Sequence, residues 1–227
     1  MDLSIPEVAR LLNVPEKTIH RWLREKAIPA HRLYDQYRFN RVEILEWAAA
    51  QGLRVEPHML SSDGGAEGLP SLSAAVERGG IYYDVAGRGQ SEVLDAVTQL
   101  PGIPQGVDRK LLHQLLMGRE ALTSTGIGGG IAIPHPRDPL VVHVQEPVVL
   151  VSFLSHPIDY RAVDGAPVRV LFTILSPTVR VHLQLLSRLS YALHDPDLSR
   201  LLDSTAAPEP ILDRLAALES RARASKS

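Results

Sequence analysis

The chain has 227 residues, enough for one large domain or two at roughly 100–200 residues each. Hydrophobic residues make up 44% and charged residues 22%, ordinary globular usage that excludes a disordered or fibrous chain. Cysteine is absent, which excludes disulfides, thiol nucleophiles and cysteine metal sites. Lys+Arg (24) and Asp+Glu (26) nearly cancel, so overall charge selects no partner. No apolar run nears the ~20 residues of a membrane span. The start, Met1-Asp2-Leu3-Ser4, lacks the basic and apolar pattern of a secretory signal. A cytoplasmic protein with no membrane partner is expected.

Ser4-Ile5-Pro6-Glu7 reads as a capping box, with Ile5, Val8, Leu11 and Leu12 as the apolar stripe of a first helix. Asn13-Val14 interrupts, and Pro15 suits the first turn of a second helix running to about Lys26. Its Ile19, Trp22 and Leu23 face inward, leaving Lys17, Thr18, His20, Arg21 and Arg24 outward. Ile28–Leu33 and Gln36–Phe39 predict two strands around Tyr34-Asp35. Arg41 to Gln51 predicts a closing helix, with Gly52 as its stop. From Lys17 to Arg41 there are seven basic residues against two acidic ones, Glu25 and Asp35. Such a basic stripe on a near-neutral chain suits a polyanion, and equally suits a solvated face.

Two short helices across a tight turn make a helix-turn-helix, whose second helix enters a major groove. Val8-Ala9-Arg10-Leu11-Leu12, Val14 to Trp22, Ile28-Pro29-Ala30 and Tyr37-Arg38-Phe39 resemble the excisionase/MerR-type winged helix-turn-helix. The resemblance implies DNA binding by Lys17, Thr18, His20, Arg21 and Arg24 on the second helix and by Arg32 and Arg38 on the wing. Lys26, where that family commonly has glycine, and the glycine-free wing turn Tyr34-Asp35-Gln36 depart from its pattern.

Ser61-Ser62-Asp63-Gly64-Gly65-Ala66-Glu67-Gly68 is small, polar and glycine-rich. It places residues 1–55 in one domain, 56–70 in a linker and 71–223 in a second domain; the tail from Ser220 is expected to fray. The second domain alternates helix and strand. Helices are expected over Ser71–Arg78, Ser91–Leu100, Asp108–Leu122, Thr178–His194 and Pro208–Arg223, and a strand over Gly80–Val85. Val148–Leu154 and Val168–Leu175 are near-continuous apolar strands, which belong to a sheet covered on both faces. The expected fold class is α/β: a C-terminal α/β sandwich with a mixed central sheet, plus the small N-terminal winged helix-turn-helix.

Four glycines, Gly126, Gly128, Gly129 and Gly130, precede Ile133-Pro134-His135-Pro136. Glycines permit tight turns and close approach to a ligand, though a purely structural turn would use them equally. A histidine between two prolines sits on a stiffened segment. Arg119-Glu120, Ser124 to Gly128, Gly130 to His135, Asp159 to Val168 and His182-Leu183 closely resemble the phosphotransferase-system enzyme IIA domains of the fructose/mannitol/nitrogen-regulatory class. That resemblance covers about residues 72–220. It implies that His135 accepts a phosphoryl group from an HPr-type phosphohistidine, with Arg119 and His182 as further catalytic residues. Pro136 stands where the family usually has glycine.

The roles suit the chemistry. Neutral imidazole is a good nucleophile near pH 7. Phosphoryl oxygens call for donors, which Arg119, the hydroxyls of Ser124 and Thr125 and the amides of Gly126 and Gly128 can supply. No metal-ligand spacing, Walker lysine or complete dinucleotide fingerprint appears, so neither metal nor cofactor is expected. The expected function is a phosphotransfer-linked regulator that couples the state of His135 to DNA binding and transcription, as a homo-oligomer. The alternative is a phosphoryl carrier serving a separate enzyme IIB, with the N-terminal domain docking proteins.

Overall fold

A computed structural model describes residues 2–25, 27–33, 36–50, 53 and 71–224. The expected linker, the wing turn at Tyr34-Asp35, Lys26 and the helix stop at Gly52 lie outside the described residues.

The N-terminal unit has the expected order. Glu7 reaches back to Ser4, accepting from its backbone amide at 2.7 Å and its hydroxyl at 2.6 Å, and so fixes the start of α1 (Ile5–Leu11). Pro15, expected in the first turn, stands one residue earlier at the N-cap position of α2 (Glu16–Arg24). Strands β2 (His31–Leu33) and β3 (Gln36–Asn40) pair antiparallel, with Arg32 opposite Tyr37. A short β1 (Asp2–Leu3), not foreseen in the sequence, takes the other edge of β3. The expected strand from Ile28 shortens to start at His31, because Pro29 has no amide to donate to a ladder. Helix α3 (Arg41–Ala50) closes the unit. Val8, Leu11, Leu12, Ile19, Phe39, Ile44 and Leu45 form its core, and Trp22 meets Trp47 edge-on at 4.9 Å.

The C-terminal domain is an α/β sandwich. Its sheet runs β4 (Ile81–Val85), β7 (Val148–Ile158), β8 (Val168–Leu175), β6 (Ile131–Ala132) and β5 (Gly126–Gly128) in spatial order. Pairing is parallel for β4/β7 and β6/β8 and antiparallel for β7/β8 and β5/β6, so the sheet is mixed as expected. Side chains alternate across it. Val149, Val151 and Phe153 of β7, with Val170, Phe172 and Ile174 of β8, face α4 (Leu72–Gly79), α7 (Val179–Leu193), α8 (Pro196–Asp203) and α9 (Pro208–Ala224). Val148, Leu150, Leu171 and Leu175 face α5 (Gln90–Thr98) and α6 (Arg109–Leu122). Burial on both faces explains why β7 and β8 read as unbroken apolar runs.

Two expectations change. Helix α8 fills a stretch that carried no predicted element: Asp195 caps it by accepting from the Asp197 and Leu198 amides at 3.1 and 2.9 Å, and Pro196 starts it. Helix α9 continues to Ala224, with the Ser220 hydroxyl donating to the Ala216 carbonyl at 3.0 Å, so residues 220–224 are helical where fraying was expected.

Asp195 also binds Arg214 of α9 through two contacts, at 2.7 and 2.6 Å. The Arg214 hydrogen bonds hold its carboxyl down to about 2. A depressed carboxylate stabilises the fold above its unfolded value, and that contribution is lost as pH falls toward 2. Asp195→Asn keeps the cap but loses the charge pairing. It should cost about 1 kcal/mol at pH 7 in urea unfolding, and the gap from wild type should close between pH 4 and pH 2.

Candidate active site

Gly128, Gly129 and Gly130 join β5 to β6 with φ of 92°, 60° and 75°, a left-handed run that side chains disfavour. At Gly130 a Cβ would also fall 2.1 Å from Arg169 Nη1. The turn is pinned from both sides. The Gly129 amide donates to Asp164 at 2.9 Å, and Arg169 Nη1 donates to the Gly129 carbonyl at 2.7 Å.

Past β6 the chain is strapped between two neighbours. The Ile133 amide donates to the Thr125 carbonyl at 3.1 Å, and the Ile174 amide donates to the Pro134 carbonyl at 3.0 Å. His135 thus sits on a rigid, buried segment and is 2% exposed. Its Nδ1 lies 2.7 Å from the Ile133 carbonyl oxygen. A carbonyl only accepts, so Nδ1 carries the proton, and the lone pair of the neutral ring is on Nε2. His182, in the first turn of α7 and fully buried, places its ring 4.9 Å from that of His135.

Arg119, 9% exposed in the last turn of α6, donates to the Thr123 carbonyl at 2.8 Å. Its neighbour Glu120 is the hub beneath the site. It accepts from the Thr125 amide at 3.0 Å, Gln90 Nε2 at 3.0 Å, the Tyr160 hydroxyl at 3.2 Å and the Thr125 hydroxyl. Burial pushes its carboxyl up, against the Thr125 hydrogen bonds and the charge of Arg119. Burial, then the Glu120 charge, drives the Tyr160 phenol well above its ordinary range.

The structure brings His135 and His182 together and sets Arg119 beside Glu120. The expected phosphate donors make hydrogen bonds within the fold. The Ser124 hydroxyl donates to the Tyr160 carbonyl at 2.5 Å and accepts the Gly126 amide at 3.0 Å. The Thr125 hydroxyl donates to Glu120. As the site stands, these protons have acceptors within the fold, and Gly128 serves the turn. Glu120 and Tyr160 lie within the stretches that carry the family resemblance but have no expected role there; a glutamate beside Arg119 and a tyrosine in a polar stretch give no local sign of burial.

The basic side chains of the N-terminal unit are mostly displayed. Lys17, His20, Arg21 and Arg24 share one exposed face of α2, at i, i+3, i+4 and i+7. Arg32 is exposed on the hairpin. Thr18 and Arg38 are half-buried, and Arg38 donates to Gln36 at 2.7 Å. Among the other histidines, His113 contacts the Ser91 carbonyl at 3.1 Å, and His194 donates to the Ser190 carbonyl at 2.7 Å. The described residues hold no cluster of metal-ligating side chains and no helix long and apolar enough to cross a membrane.

The family of the phosphoenolpyruvate-dependent sugar phosphotransferase system, EIIA 2, matches residues 77–217. The chain belongs to this family. Residues 3–52 match a helix-turn-helix domain family. The nitrogen regulatory protein of Pseudomonas aeruginosa is 36% identical over 144 residues, covering 62% of this chain and 91% of that protein. The fructose-specific EIIABC component of Bacillus subtilis is 30% identical over 136 residues, covering 59% of this chain but 21% of that larger protein. The crystal structure of the nitrogen regulatory protein IIA-Ntr from Neisseria meningitidis shares the fold, with a TM-score of 0.55 and 23% identity over 63% of this chain and 98% of that one. The chain is thus an EIIA-type domain, similar to the nitrogen regulatory proteins, joined to a helix-turn-helix.

Glu120 should be worth more than any one of its contacts. Glu120→Gln leaves buried donors facing an amide nitrogen and should cost about 2–3 kcal/mol, whereas Tyr160→Phe, which removes one donor, should cost about 1 kcal/mol. Urea unfolding of the two variants measures the difference; equal costs would deny Glu120 its place as hub.

Proposed function

We propose that this chain is a cytoplasmic regulator whose DNA-binding state responds to phosphoryl transfer onto His135. The observation that carries the first half is the tautomer: the Nδ1 bond to Ile133 leaves the Nε2 lone pair as the nucleophile. The donor would be a phosphohistidine on an HPr-type carrier. Its N–P bond breaks, the electron pair returns to the donor ring, and Nε2 of His135 forms the new N–P bond. Nδ1 keeps its proton on the Ile133 carbonyl throughout. The reaction needs placement and charge stabilisation more than acid–base work. Arg119 supplies a planar cation for the phosphoryl oxygens on releasing Thr123, and His182, whose ring lies 4.9 Å from that of His135, supplies a further ring nitrogen.

Transfer onward to a separate enzyme IIB remains the rival role for the same phosphohistidine. The helix-turn-helix favours regulation, because a carrier needs no DNA-reading unit.

Incubation with phosphoenolpyruvate, enzyme I and an HPr-type carrier, followed by mass mapping, tests the acceptor. One acid-labile phosphate should map to His135 and vanish in His135→Ala. Arg119→Lys should slow transfer more than tenfold, about 1.4 kcal/mol. Phosphate persisting in His135→Ala would refute the assignment.

For DNA, the exposed cations of α2 and the hairpin supply the affinity, and a dimer on a paired half-site supplies the rest. Arg32→Ala or Arg38→Ala should weaken binding to all duplexes alike and flatten the salt dependence by about one unit per lost contact. Arg21→Ala or Arg24→Ala should also relax sequence preference. A salt titration of the full chain against duplex DNA measures both; no binding to any duplex at low salt would move the carrier role ahead.

A further inference from the structure

The two domains meet at the histidine site. Helix α3 of the helix-turn-helix lies against α7 and against β5. Leu183, the residue after His182, is buried in the same cluster as Ile44, Leu45 and Ala48 of α3. Arg137, two residues after His135, has Nη2 3.3 Å from Glu43 Oε1 of α3. The other Glu43 oxygen holds His31 of the hairpin at 3.0 Å. Thus α3 touches each segment that carries the site: the loop after His135, the start of α7 and the strand before the glycine turn. The two histidines are 2% and 0% exposed in this arrangement. A protein donor must bring its own phosphohistidine within bonding distance of Nε2, which these exposures forbid.

From this interface we infer that α3 is a lid over the phosphoacceptor site, and that docking of α3 and phosphorylation of His135 exclude one another. The inference rests on the acceptor reading above and adds its regulation. Access requires α3 to lift. Once His135 is phosphorylated, the phosphoryl dianion offers Arg137 a stronger acceptor than Glu43, since guanidinium pairs phosphate through two parallel hydrogen bonds. Arg137 changes partner, Glu43 is left beside a like charge, and the lid cannot reseat. The Arg137–Glu43 pair is largely exposed on the arginine side (66%), so it contributes little to docking by itself and is easily exchanged. The exposed face of α2 does not form the contact, which leaves Lys17, His20, Arg21 and Arg24 displayed while the lid is closed. The link between phosphorylation and the DNA-binding unit is therefore release of the whole unit through α3, not covering of its recognition helix.

The chain carries an internal reporter. It has two tryptophans, Trp22 and Trp47, both in the N-terminal unit, and Trp47 is on α3. Trp47 packs against the cluster that holds Leu183, so lifting α3 exposes it to water and moves its emission to the red. The full chain is phosphorylated with phosphoenolpyruvate, enzyme I and an HPr-type carrier, while phosphate on His135 and tryptophan emission are followed together. The wild type should show a red shift that grows with His135 occupancy. Glu43→Arg, which sets two like charges at the lid, should start at the shifted emission and take up phosphate at least threefold faster. Unchanged emission at full His135 occupancy would overturn the lid, whatever Glu43→Arg does, and would leave the acceptor reading standing. No phosphate on His135 in either protein, with a donor that phosphorylates a known acceptor, would overturn the acceptor reading and the lid with it.

Discussion

The hydrogen bond from His135 Nδ1 to the Ile133 carbonyl, at 2.7 Å, is the constraint on which the site depends. It joins a ring to the backbone two residues earlier. It therefore holds only if that backbone is rigid. Rigidity comes from the sheet: Ile133 is tied to Thr125 and Pro134 to Ile174, and β8 is itself buried on both faces. A histidine ring fixed in this way has one tautomer and one nucleophilic nitrogen. The glycine turn, the prolines and the apolar strands can all be read as means of keeping that nitrogen in place.

Beneath this bond lies the Glu120 network. Burying a carboxylate is costly unless its oxygens are filled. Four donors from α5, the start of β5 and the loop after β7 fill them. The same contacts set where α6 ends and where β5 begins, which fixes Arg119 relative to the sheet. The Thr125 hydroxyl belongs to this network, and the Ser124 hydroxyl is bonded beside it to the Tyr160 carbonyl.

Much of this was legible in the residues. The apolar runs of β7 and β8, the capping signals of α1 and the spacing of α2 each follow from local chemistry. So does the order of the two domains. The Ile133–Pro136 segment stood out because a histidine between prolines after four glycines has few structural reasons to exist. What escaped notice depends on contacts distant in sequence. Strands β5 and β6 are three and two residues long, too short for any periodicity. Helix α8 is short, eight residues with Leu198 and Leu202 as its buried contacts, and its cap, Asp195, is held by Arg214, nineteen residues on. Glu43 and Arg137 are separated by 94 residues, and no local pattern joins α3 to the histidine loop.

The position of phosphorus on the ring tests this account most directly. Nitrogen-resolved NMR of the phosphorylated full chain distinguishes substitution at the two ring nitrogens of His135. With Nδ1 tied to Ile133, the phosphoryl group should be on Nε2, and Nδ1 should keep its proton. Phosphorus on Nδ1 would mean that the bond to Ile133 breaks before transfer, and that the fixed tautomer is not what prepares His135 to react.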